Sequence, residues 1–422
     1  MKIYFKNAKI LSQGTIIEGD VLVENDRIAY IGKPISVDAD RVIDVAGNLL
    51  MSGFTNAHCH TPSTVLRGIS DDKPLEEWLD EIIPYETSMT EEDIYWSTML
   101  GIAEYVSGGI TSVEENYGNI KPIAQAYKKS GMRARVSIGL PNVNALEILP
   151  FETQLSIVQD AGLSAVCYAH SVYGTSEENL DKLTTFSHKN NLPVSIHMSE
   201  TLKEVGDCTV KFDKTPPELL EEIGFFDRDC IVYHCVHCDK DDIQILANYD
   251  VGVVTCPSSN LKLGSGIAPI YALQNAGIKI GIGTDGAYSN NSYDMFKEMF
   301  LVATLNKGTL NRADIIPALD VVHMATKNGA ELLGFENVGD IVVGNFADLI
   351  LIDLSKPHNQ PNNDIISNLV YATKSSDVYL TMINGKIVYE NGKYFIGEEI
   401  SEIYLKNQEI RVKIKELGGK NE

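Results

Sequence analysis

Short apolar runs alternate with longer amphipathic stretches through the middle of the chain, between about residues 53 and 338. Seven of the runs have the length and the Val/Ile content of strands: Thr111–Val113, Ala134–Leu140, Ser164–Ala169, Val194–His197, Cys230–His234, Gly252–Thr255 and Ile278–Gly283. The stretches between the runs have apolar residues at helical spacing. The predicted helices include Glu91–Ser107, Ile120–Ser130, Glu177–Asn190, Pro217–Ile223, Asp241–Asn248 and Pro269–Asn275.

Strands that are apolar along their whole length and are followed by helices are typical of a parallel sheet. Together with the segment that ends at His58-Cys59-His60, the chain has eight such units. Eight units in about 280 residues predict an α/β fold of the (β/α)8 TIM-barrel type, whose usual size is about 250 residues. A doubly wound open sheet is the alternative, but no Gly-x-Gly-x-x-Gly follows an early strand.

The two ends of the chain have a different pattern, with short apolar or alternating bursts separated by Gly, Asn and Asp. This pattern indicates strands joined by tight turns, and Asn384-Gly385 between two apolar runs predicts a hairpin. We therefore expect a second, small β-sandwich domain built from residues 1–53 and 339–400. The barrel would then span residues 54–338, and the charged residues 401–422 would form a solvated helical tail.

Composition narrows the classes of partner. The formal net charge of -23 and the pI near 4.8 argue against a nucleic-acid partner, whose phosphates would be repelled. No apolar run approaches the roughly 18 residues of a membrane span, and the N-terminus has no apolar signal sequence. The seven cysteines lack the dense spacing of a disulfide scaffold. We expect a cytoplasmic protein with a small-molecule substrate and no nucleic-acid or membrane partner, and a homo-oligomer remains open.

Polar residues suited to metal binding recur where the predicted strands end. Function in a barrel gathers at the carboxyl ends of its strands, and the residues at those ends are His58, His60, Glu114, Glu115, His170, His197, Glu200, His234 and Asp285. Residues i and i+2 of a strand point to the same side, so His58 and His60 can converge. Each histidine alone is also compatible with a structural role. Together, the histidines and Asp285 predict a mixed nitrogen and oxygen site for a divalent ion.

Several motifs resemble those of the amidohydrolase superfamily, and in particular its methylthioadenosine/S-adenosylhomocysteine deaminase branch. They occur in the order of that family and cover most of the chain: Asn56–His60, Leu66–Gly68, Pro74–Leu79, Ile196–Thr201, His234–Val236, Pro257–Gly264, Gly283–Gly286 and Gly344–Ile350. The resemblance implies a barrel with a composite β domain and a hydrolase that acts on the C–N bond of a cyclic amidine. The expected reaction converts an adenosine-like nucleoside to its inosine analogue and ammonia.

The resemblance also implies one divalent metal ion per chain, with Zn²⁺ as the first expectation and Fe²⁺ or Mn²⁺ as alternatives. Its ligands would be His58, His60, His197 and Asp285. Binuclear relatives bridge two metals with a modified lysine at the end of the fourth strand. The segment Ala165–His170 offers no lysine, so we expect a mononuclear site.

Roles for the other residues follow from the same resemblance. Glu200 would protonate the ring nitrogen, His234 would orient the attacking water, and Asp285 would pass the proton of water to the departing ammonia. Four further residues match positions that bind substrate, Trp78 and Glu86 at the ribose and His170 and Ser289 at the purine.

The chain departs from relatives that accept S-adenosylhomocysteine. Those relatives carry one arginine near the end of the third strand and another in the following loop, whereas this chain has Ile138 there and no Lys or Arg within residues 141–151. Thr255 also replaces a histidine that is usual at its position. We therefore expect a preference for neutral 5′ ends, with Arg67 or Arg133 as candidate substitutes for the absent cations.

Other interpretations remain open at this point. Glu114-Glu115 could be a solvated pair or could add negative charge near the rim of the pocket. His234-Cys235-Val236-His237-Cys238 could be a structural zinc cluster, although Cys235 would point away from both histidines. Cys59 and Cys256 are expected to be buried packing residues. Alternative activities are a deaminase or chlorohydrolase-like hydrolase of guanine, pterin or triazine, a hydantoinase-like ring amide hydrolase, and a catalytically silent scaffold.

Overall fold

A computed structural model describes residues 1–140 and 149–418 of the chain. The strands, numbered in chain order, are β1 (Lys2–Ser12), β2 (Thr15–Glu24), β3 (Arg27–Gly32), β4 (Arg41–Asp44), β5 (Leu49–Ser52), β6 (Phe54–Cys59), β7 (Ile110–Glu115), β8 (Arg133–Leu140), β9 (Ser164–Ser171), β10 (Val194–Met198), β11 (Cys230–His234), β12 (Gly252–Thr255), β13 (Ile280–Ile282), β14 (Leu349–Ile352), β15 (Val378–Ile383), β16 (Lys386–Glu390) and β17 (Lys393–Tyr394).

The helices surround the middle strands and link them. They are α1 (Leu75–Ser88), α2 (Glu91–Ser107), α3 (Ile120–Ser130), α4 (Phe151–Asp160), α5 (Glu177–Asn190), α6 (Leu202–Phe212), α7 (Pro216–Glu222), α8 (Lys240–Asn248), α9 (Pro257–Lys262), α10 (Ile270–Asn275), α11 (Ala287–Asn290), α12 (Met295–Leu310), α13 (Ala318–Ala325), α14 (Lys327–Leu332), α15 (Ile365–Tyr371) and α16 (Ile400–Gly418). A 3₁₀ helix, Thr61–Leu66, follows β6 directly. Among the described helices, none is both long and apolar enough to cross a membrane.

The strands β6 to β13 form a parallel sheet in which every strand lies beside its neighbour in sequence. Its two edge strands meet through Asn56, whose amide donates to Thr284 Oγ1 at 2.7 Å and accepts from Thr284 N at 2.8 Å. The backbone N–H of Asp285 donates to the carbonyl of His58 at 3.0 Å. Gly283 permits this approach, since an added Cβ would lie 2.8 Å from Cβ of His58. The sheet is therefore a nearly closed barrel, as predicted.

The two chain ends form one mixed sheet of nine strands beside the barrel, in the order β17-β16-β15-β14-β5-β1-β2-β3 with β4 beside β1. The predicted Asn384-Gly385 hairpin joins β15 and β16, and both turn residues have positive φ (49° and 72°), as a type I′ turn requires. The predicted combination of an eight-stranded barrel with a smaller β structure from both ends is confirmed.

One detail differs from the expectations. The C-terminal helix is not solvated all round, since Ile403, Ile410 and Ile414 are buried. A polar bond also fixes it to α2, where Asn407 Nδ2 donates to the carbonyl of Trp96 at 2.8 Å.

Candidate metal centre and active site

Three histidines and one aspartate converge at the carboxyl end of the barrel. Asp285 Oδ1 lies 3.2 Å from His60 Nε2 and 3.6 Å from His58 Nε2, and His58 Nε2 lies 3.1 Å from His197 Nε2. All four side chains are buried, with at most 7% of any residue exposed. His58 is within β6, whereas His60 follows its last residue and begins the 3₁₀ helix. The four residues come from the first, fifth and eighth barrel strands or the turns that follow them.

The other ring nitrogen of each histidine is fixed by an acceptor. His58 Nδ1 donates to Asn116 Oδ1 at 2.9 Å and His60 Nδ1 to the carbonyl of Asn116. His197 Nδ1 donates to the carbonyl of His170 at 2.7 Å. Since the proton sits on Nδ1, the Nε2 lone pairs face the centre, which is the tautomer that metal-ligating histidines adopt.

This donor set fits a divalent cation. Two Nε2 lone pairs only 3.1 Å apart repel each other unless a positive charge lies between or beside them. Burial lowers the pKa of His58 to about 4 and that of His197 well below its usual value, so both rings are neutral near pH 7. Burial alone would raise the pKa of Asp285, but the adjacent imidazoles of His58 and His60 hold it well below its usual value. Burial would likewise lower the pKa of His60, but Asp285 raises it above its usual value. A bound cation would take the place of the proton that His60 and Asp285 otherwise share. Neutral imidazoles and an ionised carboxylate are the ligand forms of a zinc-type site.

Asp285 is held by its own loop and by α9, which follows β12. Ser259 Oγ donates to Oδ2 at 2.5 Å, and the Gly286 N–H donates to Oδ1 at 2.8 Å. The backbone of Asp285 has φ 60°, a left-handed conformation that costs a non-glycine residue free energy. His234 has φ 71° at the end of β11. Such strained residues cluster at functional sites because the surrounding structure must hold them there.

Glu200 and His234 lie beside the cluster. His234 Nε2 is 3.8 Å from Glu200 Oε2, and its Nδ1 donates to Asn260 Oδ1 at 2.7 Å. His234 also lies close enough to His58 and His197 to form a second potential group of metal ligands. Burial raises the pKa of Glu200, which favours a carboxyl group that can hold and donate a proton near neutral pH.

The residues predicted to bind a ribose form a wall above the cluster. The Trp78 ring packs edge-on against the Tyr288 ring, with centroids 4.7 Å apart. The Tyr288 ring centroid lies 6.1 Å from that of His60. Trp78 Nε1 is buried without a hydrogen-bond partner among the described residues. Burial raises the pKa of Glu86, and the nearby hydroxyls of Tyr117 and Tyr288 offset part of this rise. The wall therefore presents polar groups that a ligand could satisfy.

The two residues predicted at the purine differ in their availability. His170 ends β9, with its ring centroid 5.0 Å from that of His197, and burial lowers its pKa to about 3. Its ring is neutral and partly exposed, so it can exchange a hydrogen bond with a base. Ser289 is buried, and its hydroxyl donates to the carbonyl of Gly286 at 3.1 Å within its own turn.

The glutamate pair Glu114-Glu115 at the end of β7 is not solvated, so that interpretation is wrong. Both side chains are fully buried. Glu114 points into the barrel, where it accepts hydrogen bonds from Arg135 Nε at 2.6 Å and from Tyr233. Glu115 points to the helical layer, where it accepts from the Thr61 N–H at 3.0 Å and from Tyr127 at 2.6 Å. The pair fixes the barrel interior and the turn after His60 rather than the rim of the pocket.

The expectations about arginine also change. Ile138 lies in the apolar layer between barrel and helices, so it does not occupy the pocket. Arg133 begins β8 at the opposite end of the barrel and donates to Asp348 Oδ2 at 2.7 Å. Arg67 is paired with Glu104. Neither arginine is free to replace the absent cations, and residues 141–148 lie outside the described residues.

Sequence reasoning missed the residues that hold the histidines. Asn116 and Asn260 each accept from an Nδ1, and Ser259 donates to Asp285. Tyr233 stacks on His58 with ring centroids 3.9 Å apart. Asn116 directly follows Glu115 at a strand end, and its position at this edge is the one signal that could have identified it. Cys59 and Cys256 are buried, as predicted.

Comparison with known proteins gives consistent similarities. The sequence model of the amidohydrolase family matches residues 49–388. A 5-methylthioadenosine/S-adenosylhomocysteine deaminase of Dictyoglomus turgidum is 38% identical over 408 residues, 94% of this chain and 96% of that protein. The crystal structure of an adenosine deaminase from Xanthomonas campestris with bound zinc is 31% identical, covers 98% of both chains and gives a TM-score of 0.92. A zinc-complexed atrazine chlorohydrolase from Arthrobacter aurescens shares the fold. It is 20% identical, with a TM-score of 0.88, and the match covers 97% of this chain and 100% of that chain.

Proposed function

The chain belongs to the amidohydrolase family and is a hydrolase acting on C–N bonds, and from this premise we propose that it deaminates adenosine-like nucleosides. The products would be the inosine analogue and ammonia. The observation that carries the proposal is the buried carboxyl group of Glu200 beside the cluster of His58, His60, His197 and Asp285. A proton donor next to a hydrolytic metal centre is what the removal of a ring amino group requires.

We propose one divalent ion per chain, with Zn²⁺ first and Fe²⁺ or Mn²⁺ as alternatives. His58, His60, His197 and Asp285 would hold it, and when bound it would lower the pKa of a coordinated water to near 7. The end of β9 carries His170 in place of a bridging lysine, which supports a single ion. The carbonyl of His170 is already used by His197 Nδ1.

The residues of the chain would move the protons. Water supplies the oxygen that replaces the amino group, and its proton passes to the ionised carboxylate of Asp285. Glu200, whose pKa is raised by burial, donates its proton to the ring nitrogen beside the attacked carbon. Asp285 then gives its proton to the departing amine, which leaves as ammonia. The remaining hydroxyl proton of the adduct returns to Glu200, which leaves the carbonyl of the inosine analogue and restores the carboxyl group. His234, held at Nδ1 by Asn260, keeps its Nε2 directed at the centre to orient the attacking water.

The wall above the cluster would bind the nucleoside. Glu86 would accept hydrogen bonds from ribose hydroxyls, and the unpartnered Trp78 Nε1 can donate one. His170 and Ser289 are the residues proposed for the purine. Ser289 would have to release its bond to the Gly286 carbonyl to take this role. His170 Nδ1 is bonded to Ser171 Oγ at 2.9 Å, so His170 would use its Nε2.

We propose a preference for neutral 5′ ends, such as 5′-deoxyadenosine, methylthioadenosine and adenosine, over S-adenosylhomocysteine. Arg67 and Arg133 are engaged elsewhere, and residues 141–148 include a glutamate but no Lys or Arg. A carboxylate without a cationic partner loses about 1.5–3 kcal/mol, or roughly tenfold to a hundredfold in kcat/KM.

The test is ammonia release from these four nucleosides, with guanine and a pterin beside them, together with metal analysis. We expect turnover of the nucleosides and about one metal ion per chain, and His197→Ala should lose both. Equal or better use of S-adenosylhomocysteine would contradict the 5′ preference. Turnover of guanine or pterin alone would assign the site to another heterocycle, and absence of turnover with metal bound would favour the silent scaffold.

A further inference from the structure

The helix that carries Trp78 and Glu86 is attached to the barrel through few contacts. Of the fourteen residues of α1, only Leu75, Trp78 and Ile82 are buried. The segment before it, residues 67–74, turns sharply, with positive φ at Gly68 (76°), Ser70 (62°) and Asp72 (63°). Few buried contacts and strained turns are typical of elements that open locally at low cost. Leu79, Ile83 and Tyr85 also pack against the core while partly exposed, so apolar contacts and specific polar bonds together position α1.

The turn and α1 are braced against each other. Ser70 Oγ donates to Glu81 Oε2 at 2.7 Å, and the Lys73 ammonium is paired with the same carboxylate. These bonds tie residues 67–74 to α1 but do not reach the barrel. Arg67, at the start of this segment, is paired with Glu104 of α2. The residues after Arg67 are expected to move together with α1 as one unit, which we call the α1 wall (residues 68–88).

One lysine of the barrel joins this unit to the site. Lys262 Nζ donates to the carbonyl of Tyr288 at 2.9 Å and to Asn291 Oδ1 at 2.6 Å, and lies 2.6 Å from Asp71 Oδ1. Asn291 Nδ2 donates to Asp71 Oδ2 at 3.1 Å. An ammonium has three protons, and here three acceptors surround it. We call Lys262, Asn291 and Asp71 the clasp.

The clasp joins the α1 wall to the segment that carries Tyr288. Asp71 belongs to the α1 wall, whereas Lys262 ends α9 and Asn291 caps α11, which carries Tyr288. The Tyr288 ring packs on Trp78, so one ammonium fixes both the backbone of Tyr288 and the segment leading to Trp78. An isolated surface ion pair contributes little to stability. The pair of Lys262 and Asp71 is less exposed than that, since only 21% of the Lys262 side chain and 35% of the Asp71 side chain are accessible. The Lys262 ammonium also has two further acceptors, the Tyr288 carbonyl and Asn291 Oδ1.

We propose that Lys262 is a positioning residue, and that the clasp holds the α1 wall at the separation from the metal centre that a nucleoside requires. The ribose part of this inference rests on the proposed function, whereas the mechanical part does not. The clasp would act on substrate binding rather than on the proton transfers, because it touches neither Glu200 nor the histidine cluster.

The mechanical test uses fluorescence without substrate. The chain has two tryptophans, so Trp96→Phe leaves Trp78 as the only reporter. In this background, Lys262→Met should raise the acrylamide quenching constant of Trp78 by roughly twofold or more, because the wall opens more often. Lys279→Met is the matched control, since Lys279 pairs with Glu331 at 2.8 Å on the surface away from the site. An unchanged quenching constant in Lys262→Met would overturn the proposal.

The kinetic test uses the metal-loaded protein and the nucleoside that it turns over best. Lys262→Met should raise KM about tenfold with a smaller change in kcat, since uniform binding is lost. Asp71→Asn, which keeps the shape and removes the charge, should move KM the same way and serves if Lys262→Met folds poorly. A fall in kcat with KM unchanged in both variants would overturn the proposal. If the wild-type protein deaminates no nucleoside, the proposed function fails, while the quenching result still decides whether the clasp exists.

Discussion

Asn116 offers the sharpest test of the metal centre, because one residue holds two of its histidines. Its side-chain Oδ1 accepts from His58 Nδ1 at 2.9 Å, whereas its backbone carbonyl accepts from His60 Nδ1. Asn116→Ala removes the first bond and leaves the second in place. The variant therefore isolates the hydrogen bond that orients His58 without deleting any ligand.

The expected magnitude follows from the role of such bonds. Loss of a partner that orients a ligating histidine costs about 10-fold to 100-fold in metal affinity, or roughly 1.4–2.7 kcal/mol. His58 is fully buried, so water cannot easily replace the amide. We expect the upper part of this range. Asn116→Asp keeps an acceptor on Nδ1 and should retain the affinity of the wild-type protein.

The assay is competition for Zn²⁺ between the protein and a chromophoric chelator. Asn260→Ala is the matched control, because Asn260 makes the equivalent bond to His234 at 2.7 Å. If His234 orients water and is not a ligand, this variant keeps its metal affinity within about twofold and loses turnover instead. Equal losses of affinity in both alanine variants would refute the ligand set and favour His58, His197 and His234. Unchanged affinity in Asn116→Ala would refute the reasoning altogether.

Three further outcomes are expected. Glu200→Gln should keep the metal and lose about 100-fold or more in kcat, since glutamine cannot donate the proton; near-normal turnover would exclude that role. Burial raises the pKa of Glu204 from 4.5 to about 8. Between these pH values the folded protein keeps a proton on Glu204 that the unfolded chain releases. The free energy of unfolding therefore falls as pH rises from about 4.5 to 8. Denaturant unfolding of Glu204→Gln should show a pH slope less steep by about 1.4 kcal/mol per pH unit between these values; parallel slopes would contradict the shift. Arg135→Met should lower the free energy of unfolding by about 3–5 kcal/mol, because it leaves Glu114 buried and unpaired; urea titration giving a loss below about 1 kcal/mol would mean that Glu114 finds another partner.

The fold was predictable because the barrel strands are buried on both faces. A strand such as Cys230–His234 is apolar up to its last residue and follows charged residues, and its predicted and observed bounds coincide. The hairpin at Asn384-Gly385 was equally clear, since both residues tolerate positive φ. The bounds of the last barrel strand were predicted less accurately, because only Ile280–Ile282 of the predicted Ile278–Gly283 pairs as a strand. Thr284 and Asp285, which follow the predicted strand, close the barrel through the bonds of Thr284 to Asn56 and one backbone bond from Asp285 to His58.

The contacts around the candidate site could not be predicted, because they join residues distant in sequence. Asn116 and His58 are 58 residues apart and meet only when two strands align at their ends. The burial of Glu114 depends on Arg135, which the sequence places merely on the next strand. Composition does not indicate which of the many Asp and Glu side chains will lie in the core rather than in water. Pairing across strands, not local pattern, decides the environment of each charged group.

The direction of side chains along β8 explains why Ile138 no longer supports the predicted preference for neutral 5′ ends. Along β8, Arg135 points into the barrel toward Glu114, so Ser137 shares that face and Ile138 points to the helices. The hydroxyl of Ser137 accordingly accepts from the Tyr117 N–H at 3.2 Å on the inner side. An arginine at position 138 with the present strand register would enter the apolar layer rather than the pocket. The preference for neutral 5′ ends therefore rests on the engaged Arg67 and Arg133 and on the uncharged or acidic loop sequence, not on Ile138 itself.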